Sequence, residues 1–369
     1  MYTRKILESY CSKYLEEVVS CFKCATELEP LKSDIYIGIS LLQKSIRRGQ
    51  HEYAIPAALC VLHHSQSAFW RRICVISFED IGVANIELVG AVLIAAGRKK
   101  LRHDLGGDEP VATALIVAMC GSKKDRSLND VFEFAQNSIG LDPLKRHLGA
   151  MPPRERLEVA TINGQPLVVQ ALATLSYSIG LPISHQVRQG RVNRTNSFLD
   201  SLVHSGFDPL LIELARYGLA RSRTILPILY PAVFSLRRCA ETKVQSDSFT
   251  PTVQINELPC WVYNANTRIG LAAIRAYIKQ SKQMSEFLNI FSTKEISKNK
   301  IVGKLIFCQE STLLKNRLIW DVGKQIRNSV DALCPGIRSG GLVFGNQILS
   351  EEFGLLNQCR FDAAQLYLR

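Results

Sequence analysis

Apolar residues recur at three- and four-residue intervals along most of this chain, and the strict alternation of a half-buried strand is sparse. The pattern predicts a mainly α, multi-helical protein. A helix over residues 36–48 ends at Gly49, a residue that readily takes the left-handed conformation of a helix terminus. The next begins near Glu52, with Pro56 close to its start, where a missing amide is tolerated. Ser67 is the expected N-cap of a third, which runs through Phe69, Trp70, Ile73 and Val75 to Phe78, with Gly82 in the turn that follows. Residues 86–96 form the most apolar stretch. It falls short of the roughly 20 residues needed to span a bilayer and carries Glu87, so it reads as a buried helix and no membrane partner is expected.

Punctuation divides the rest. A polar stretch over 98–110, with Gly106 and Gly107, precedes an apolar helix over 111–120. Met151-Pro152-Pro153 interrupts the pattern, a helix resumes over 166–179, and Gly180 to Pro182 interrupts it again. Residues 246–256 lack periodicity and contain Pro251. The expected organisation is a helical module over 1–140, a basic helical unit over 141–245, a linker over 246–256 and a C-terminal basic helical unit over 257–369. No repeat of 20–50 residues suggests a solenoid.

At 369 residues and 47% hydrophobic, the chain has material for two or three packed units and is not generally disordered. Glu8, Glu16 and Glu17 break up any apolar leader, which leads to a cytoplasmic expectation. Eleven cysteines are an odd number in a long chain of this kind, and thiols there stay reduced in the core. Cys21 and Cys24 have C-x-x-C spacing without a second ligand pair, and on a helix they share one buried face; neither a metal nor another cofactor is expected.

Charge changes the picture once it is divided. The net charge is +12, yet residues 1–140 hold 17 Lys/Arg against 16 Asp/Glu, residues 141–240 hold 12 against 6, and residues 261–330 hold 12 against 4. Positive charge gathered in two segments suits an anionic partner, and DNA is the expected one.

The run Leu42-Gln43-Lys44-Ser45-Ile46-Arg47-Arg48-Gly49, the small-residue helix through Ala54, Ala57, Ala58 and Leu59, then Phe69-Trp70-Arg71-Arg72-Ile73 and Ser77-Phe78-Glu79-Asp80-Ile81-Gly82 occur in that order. Together they resemble the helical region that follows the ATPase core in the RarA/MgsA family of replication-associated AAA+ proteins. Residues 112–123 resemble a later segment of the same region. The resemblance covers about residues 31–137 and implies a helical scaffold that self-associates into a homo-oligomer. The family's ATPase does not carry over: its G-x-x-x-x-G-K-[ST] loop is missing, and Gly97-Arg98-Lys99-Lys100 and Gly121-Ser122-Lys123 lack the preceding glycine. Read physically, Glu79 and Asp80 at a helix end satisfy amides or pair with Arg71 and Arg72, a structural role.

Candidate chemistry lies further on. Arg188, Arg191 and Arg194 surround Gly190 in a loop suited to phosphate, and residues 216–223, with Arg221 and Arg223, fit the start of a basic helix laid against a backbone. Trp261, Tyr263, Asn264, Asn266, Thr267 and Arg268 precede Gly270, which opens a helix over 271–278. These residues offer stacking faces, amides for a base edge and a guanidinium; they equally fit an ordinary capped helix over a core. Lys304 closes a flexible basic run over 298–304, and Lys315 and Arg317 precede Asp321. Clustered carboxylates for a metal nuclease and the zinc deaminase motif are missing, which leaves metal-independent chemistry. The most concrete expectation is a DNA glycosylase-like enzyme that flips and excises a modified or damaged base, in genome maintenance or defence against foreign DNA. Asp321, then Glu310, would be its carboxylates. The alternative is a non-catalytic DNA-binding adaptor on the RarA-like scaffold. In either case, without a phosphate loop, a clean preparation should show no ATP hydrolysis; turnover abolished by a point change in this chain would overturn that.

Overall fold

Local capping chemistry decides where the helices start and stop. The molecule is seen in a computed structural model that describes residues 2–22, 29–162, 164–181, 183, 192–338 and 340–367. Its first helices are α1 (Tyr2–Cys21), α2 (Ile35–Arg48), α3 (His51–His64), α4 (Gln66–Ile76), α5 (Ile86–Gly97), α6 (Lys99–Asp104), α7 (Asp108–Gly121) and α8 (Ser127–Asn137). Asp34 accepts from the amides of Tyr36 and Ile37 at 2.8 and 3.0 Å to start α2, and Gly49, at φ 66°, closes it. Helix α2 packs on α3, α3 on α4 and α7, and α1 on α5. Helix α5 is buried along nearly its whole length, as its composition requires.

Some boundaries depart from the expectation. Ser65, rather than Ser67, caps α4, because its extended backbone lets the hydroxyl accept from the Ala68 amide. Pro56 lies well inside α3. The stretch 98–110 contains the short α6, and Asp108 and Glu109 occupy the first turn of α7, where acids oppose the helix dipole favourably.

The middle of the chain supplies α9 (Asp142–Ala150), α10 (Pro153–Thr161), α11 (Leu167–Ile179), α12 (Val192–His204), α13 (Pro209–Ser222) and α14 (Tyr230–Arg238). Helix α13 lies against α1, α4 and α5 and joins this part to the first. The remainder holds α15 (Arg268–Gln280), α16 (Lys282–Phe291), α17 (Lys298–Ile306), α18 (Asp321–Asp331), α19 (Gly341–Glu351) and α20 (Phe353–Tyr367). Two small antiparallel ribbons accompany them: β1 (Lys243–Gln245) with β4 (Arg317–Ile319), and β2 (Gln254–Ile255) with β3 (Leu258–Pro259). The mainly α, multi-helical class read from the sequence is the one observed. Buried apolar side chains from Leu7 to Ala364 form one continuous cluster.

Residues 298–304, expected as a flexible run, form most of α17, with Ile301 and Val302 in the core. The aperiodic segment 246–256 is anchored at Asp247, whose amide donates to Leu314 at 2.9 Å and whose carboxylate takes Arg317 and Arg327. Among the described residues no helix is long and apolar enough to cross a membrane.

A polar centre among α2, α4 and α8 is Asp80, in a π-type turn over Ser77–Ile81 that continues α4. Its Oδ1 accepts from Arg47 Nε at 2.7 Å and Arg126 Nη1 at 2.6 Å, and its Oδ2 accepts from Gln43 at 2.8 Å. Arg71 and Arg72 are not its partners; Arg72 donates instead to Gln43. Burial alone would push this carboxyl up, but Arg47 and Arg126 outweigh it and hold it below the usual carboxylate range. Gly82 then turns at φ 54°, and a Cβ there would stand 2.3 Å from the Asp125 carbonyl, so only glycine fits the approach. Replacing Asp80 by Ala leaves two buried guanidiniums without their anion. We expect a loss of about 3–5 kcal/mol in chemical denaturation; a loss under about 1 kcal/mol would show the network to be dispensable.

Candidate functional site

The turn at Lys124 and Asp125, bonded to Asp80, opens onto a cleft. Lys124 joins this turn to the C-terminal part, its amide donating to Asn316 O at 3.0 Å and its carbonyl accepting from Leu318 N at 2.8 Å, while Asp125 N donates to Asp80 O at 3.0 Å and ties the turn to the π-type end of α4. Between this turn, α8, the β1–β4 ribbon and α18 lies a cavity of about 320 Å³. Its lining includes Asp125, Arg126 and Asp130 on one side and Lys243, Gln245, Arg317, Lys324, Arg327, Asn328 and Asp331 on the other.

Charges in the cleft fall into two sets. Arg317 is bidentate to Asp247, at 3.0 and 2.5 Å, and Arg327 reaches Asp247 at 3.2 Å and Asp331 at 3.5 Å. These cations are spent within the protein. Lys243 and Lys324 are exposed at its mouth beside the exposed amides of Gln245 and Asn328, and none of these four side chains makes a hydrogen bond or ion pair among the described residues. On the floor, Asp125 accepts from Ser127 N and Trp320 Nε1, both at 2.8 Å, while its burial pushes its carboxyl up. Burial is also the largest influence on Asp130 and drives its carboxyl up to about 6, with Arg126 and Arg317 opposing and Glu133 and Asp125 adding to the rise.

The residues expected from the sequence are dispersed by comparison. Arg317 lines the cleft but is committed to Asp247, and Lys304 ion-pairs with Glu133 at 2.8 Å. Lys315 is exposed and its amide donates to Arg47 O at 2.8 Å. Asp321 is exposed in the first turn of α18 and does not line the cavity. Glu310 is 2% exposed, with both oxygens held by Arg360 at 3.0 and 2.6 Å, so it is a closed ion pair with no access to a substrate. Arg188 and Arg191 lie outside the described residues, as does Cys24; Arg194 is exposed near the start of α12. Cys21 is exposed rather than on a buried face, whereas seven of the ten described cysteines are buried.

The stretch around Gly270 takes the capping geometry. Thr267 caps α15 by accepting from Gly270 N at 3.0 Å, and Asn264 Oδ1 accepts from Asn266 N at 2.9 Å. A Cβ on Gly270 would fall 1.9 Å from the Asn264 carbonyl, which explains the glycine without any ligand. Trp261 and Tyr263 are 2% and 1% exposed; the first meets Tyr53 edge-on and the second donates to Ile255 O at 3.2 Å. They offer no open face to a base. Asn266 and Arg268 are exposed at the helix start.

The cleft residues that sequence reasoning passed over are Asp125, Asp130, Lys243 and Lys324. The run Lys123-Lys124-Asp125-Arg126 was a visible signal, a charge cluster set directly before an apolar helix pattern. Among the described residues no group of three or more His, Cys, Asp or Glu could hold a metal ion. Comparison with protein-family models, with curated proteins and with solved structures gives no match.

Asp130 yields a pH signature. A carboxyl raised on folding contributes stability that is whole below its unfolded value of about 4 and is lost as pH rises through about 6. Asp130→Asn should therefore exceed the wild type in stability by about 1–3 kcal/mol at pH 8, with the gap closing toward pH 4. Urea titrations at the two pH values check this, and a gap independent of pH would refute it.

Proposed function

We propose that the protein binds DNA, with the cleft between α8, the β1–β4 ribbon and α18 as its docking place. The observation that carries this reading is the pair of exposed cations Lys243 and Lys324, flanked by Gln245 and Asn328 and set against a cavity whose other arginines are already neutralised. Phosphates fit the lysines, and amides can read a base edge.

Base excision is kept as the second reading because of one specific feature, a carboxyl on the floor of that cavity. Asp130, raised to about 6, would be largely ionised at neutral pH and still basic enough to orient a water or to stabilise an oxocarbenium ion beside a flipped nucleotide. In this reading Asp130 takes the role expected of Asp321 and Glu310. Without excision, the same cleft serves a DNA-binding adaptor.

Fluorescence anisotropy with a labelled duplex tests the first reading. Lys243→Ala with Lys324→Ala should weaken binding across unrelated sequences and flatten the plot of log affinity against log salt by about 2, the two phosphate contacts removed. An unchanged affinity and slope would remove the cleft from DNA binding. Alkali treatment of plain and base-modified duplexes after incubation tests the second: abasic sites made by the wild type and lost in Asp130→Asn, with binding retained, identify excision. Wild-type protein that binds but makes no abasic site is the adaptor.

A further inference from the structure

A second cavity, of about 390 Å³, lies where the end of α13 meets α4, α5 and α6. Arg71, Arg102, Arg221 and Arg223 line it together with Trp70, and no acidic side chain does. Arg102 has its own partners: it pairs with Asp108, donates to Ala95 O at 2.6 Å and lies over the Trp70 ring, 4.4 Å from its centroid. The other three are exposed and have no ion pair or hydrogen bond among the described residues. Arg221 rests its guanidinium on Gly97, where a Cβ would meet it at 2.8 Å.

Arg223 is held in the left-handed region, φ 58° and ψ 21°, as the C-cap of α13. Glycine takes that conformation at lower cost, so the local backbone does not call for an arginine. The cavity also differs from the DNA cleft in kind. There, Asp247 and Asp331 offset the arginines; here three guanidiniums share one concavity without a carboxylate on its wall. Like charges so placed repel, and an anion relieves them.

We propose that this cavity is a binding site for a phosphate-bearing ligand of two or more negative charges, with Arg71, Arg221 and Arg223 as its ligands. Planar guanidinium forks match phosphate oxygens in pairs, and their convergence on one volume, not along a track, suits a concentrated charge. A terminal phosphate on a nucleic-acid strand and a free diphosphate both present that chemistry. The site stands independently of the DNA cleft, whose Lys243 and Lys324 do not line it.

Calorimetric titration of the full chain with pyrophosphate is the test. The wild type should bind saturably with a Kd below about 1 mM, and Arg71→Ala and Arg223→Gly should each weaken binding roughly tenfold or more. Arg223→Gly removes the guanidinium while easing the backbone, so its melting temperature should stay the same or rise, which separates lost binding from lost folding. Lys243→Ala with Lys324→Ala should leave pyrophosphate binding unchanged. Saturable binding that survives both arginine substitutions, or no saturable binding by the wild type, overturns the proposal. The source follows from duplexes with 5′-phosphate or 5′-hydroxyl ends. A preference for the phosphorylated end, lost in Arg223→Gly, assigns a strand terminus; pyrophosphate binding with no end preference assigns a free diphosphate.

Discussion

One buried carboxylate, Asp80, sets the geometry of much that surrounds it. It is fully enclosed and held between Arg47 from the end of α2 and Arg126 from the start of α8, with Gln43 on its second oxygen. An ion pair of this kind gains little net stability over a well-packed apolar core, because desolvation consumes most of the Coulombic attraction. Its contribution is placement: each donor has one low-energy position, and removal of Asp80 strands two buried guanidiniums. Arg126, fixed in this way, forms one wall of the cleft, and Asp125 beside it holds the Trp320 indole. The cleft therefore inherits its shape from a network that lies behind it.

Features set by neighbouring residues were legible in the sequence. Gly49 and Gly82 mark the turns at which they were expected, and the apolar run after Asn85 is the buried α5. The aromatic and amide residues around Gly270 could be read as a cap over a core or as a base pocket, since both use the same side chains; the positions of Thr267 and Trp261 favour the cap. What the sequence could not disclose were partners far apart along the chain. Asp247 looked like part of a linker, yet its carboxylate binds Arg317. Asp130 carries no mark in the sequence of the α18 that packs on its helix, and Glu310 reads as an available carboxylate although Arg360 holds both its oxygens. In each case the chemistry of a carboxyl is decided by a cation or a wall that sequence spacing does not specify.

The two cavities show how positive charge divides between structure and surface. A basic segment need not present a basic face, since Arg317, Arg327, Arg360 and Lys304 all end on internal carboxylates. Net charge by region overstates what solvent meets there. At these two cavities the uncommitted cations among the described residues are fewer: Lys243 and Lys324 at the cleft, and Arg71, Arg221 and Arg223 on a wall where no acid intervenes.

The end of α2 carries a consequence for how the chain is made. Lys44, buried so completely that its amine is pushed well below the usual lysine range, donates to the Trp261 carbonyl; Arg47 donates to the Ser311 carbonyl and Arg48 to that of Glu310, at 2.7 and 2.8 Å. None of these acceptors exists when α2 emerges from the ribosome. At ordinary translation rates the three cations wait on the order of ten seconds or more for their partners to be synthesised. During that interval these donors at the end of α2 are met by water. Vectorial synthesis thus leaves the end of α2 without these three carbonyl partners until the last third of the chain has been made.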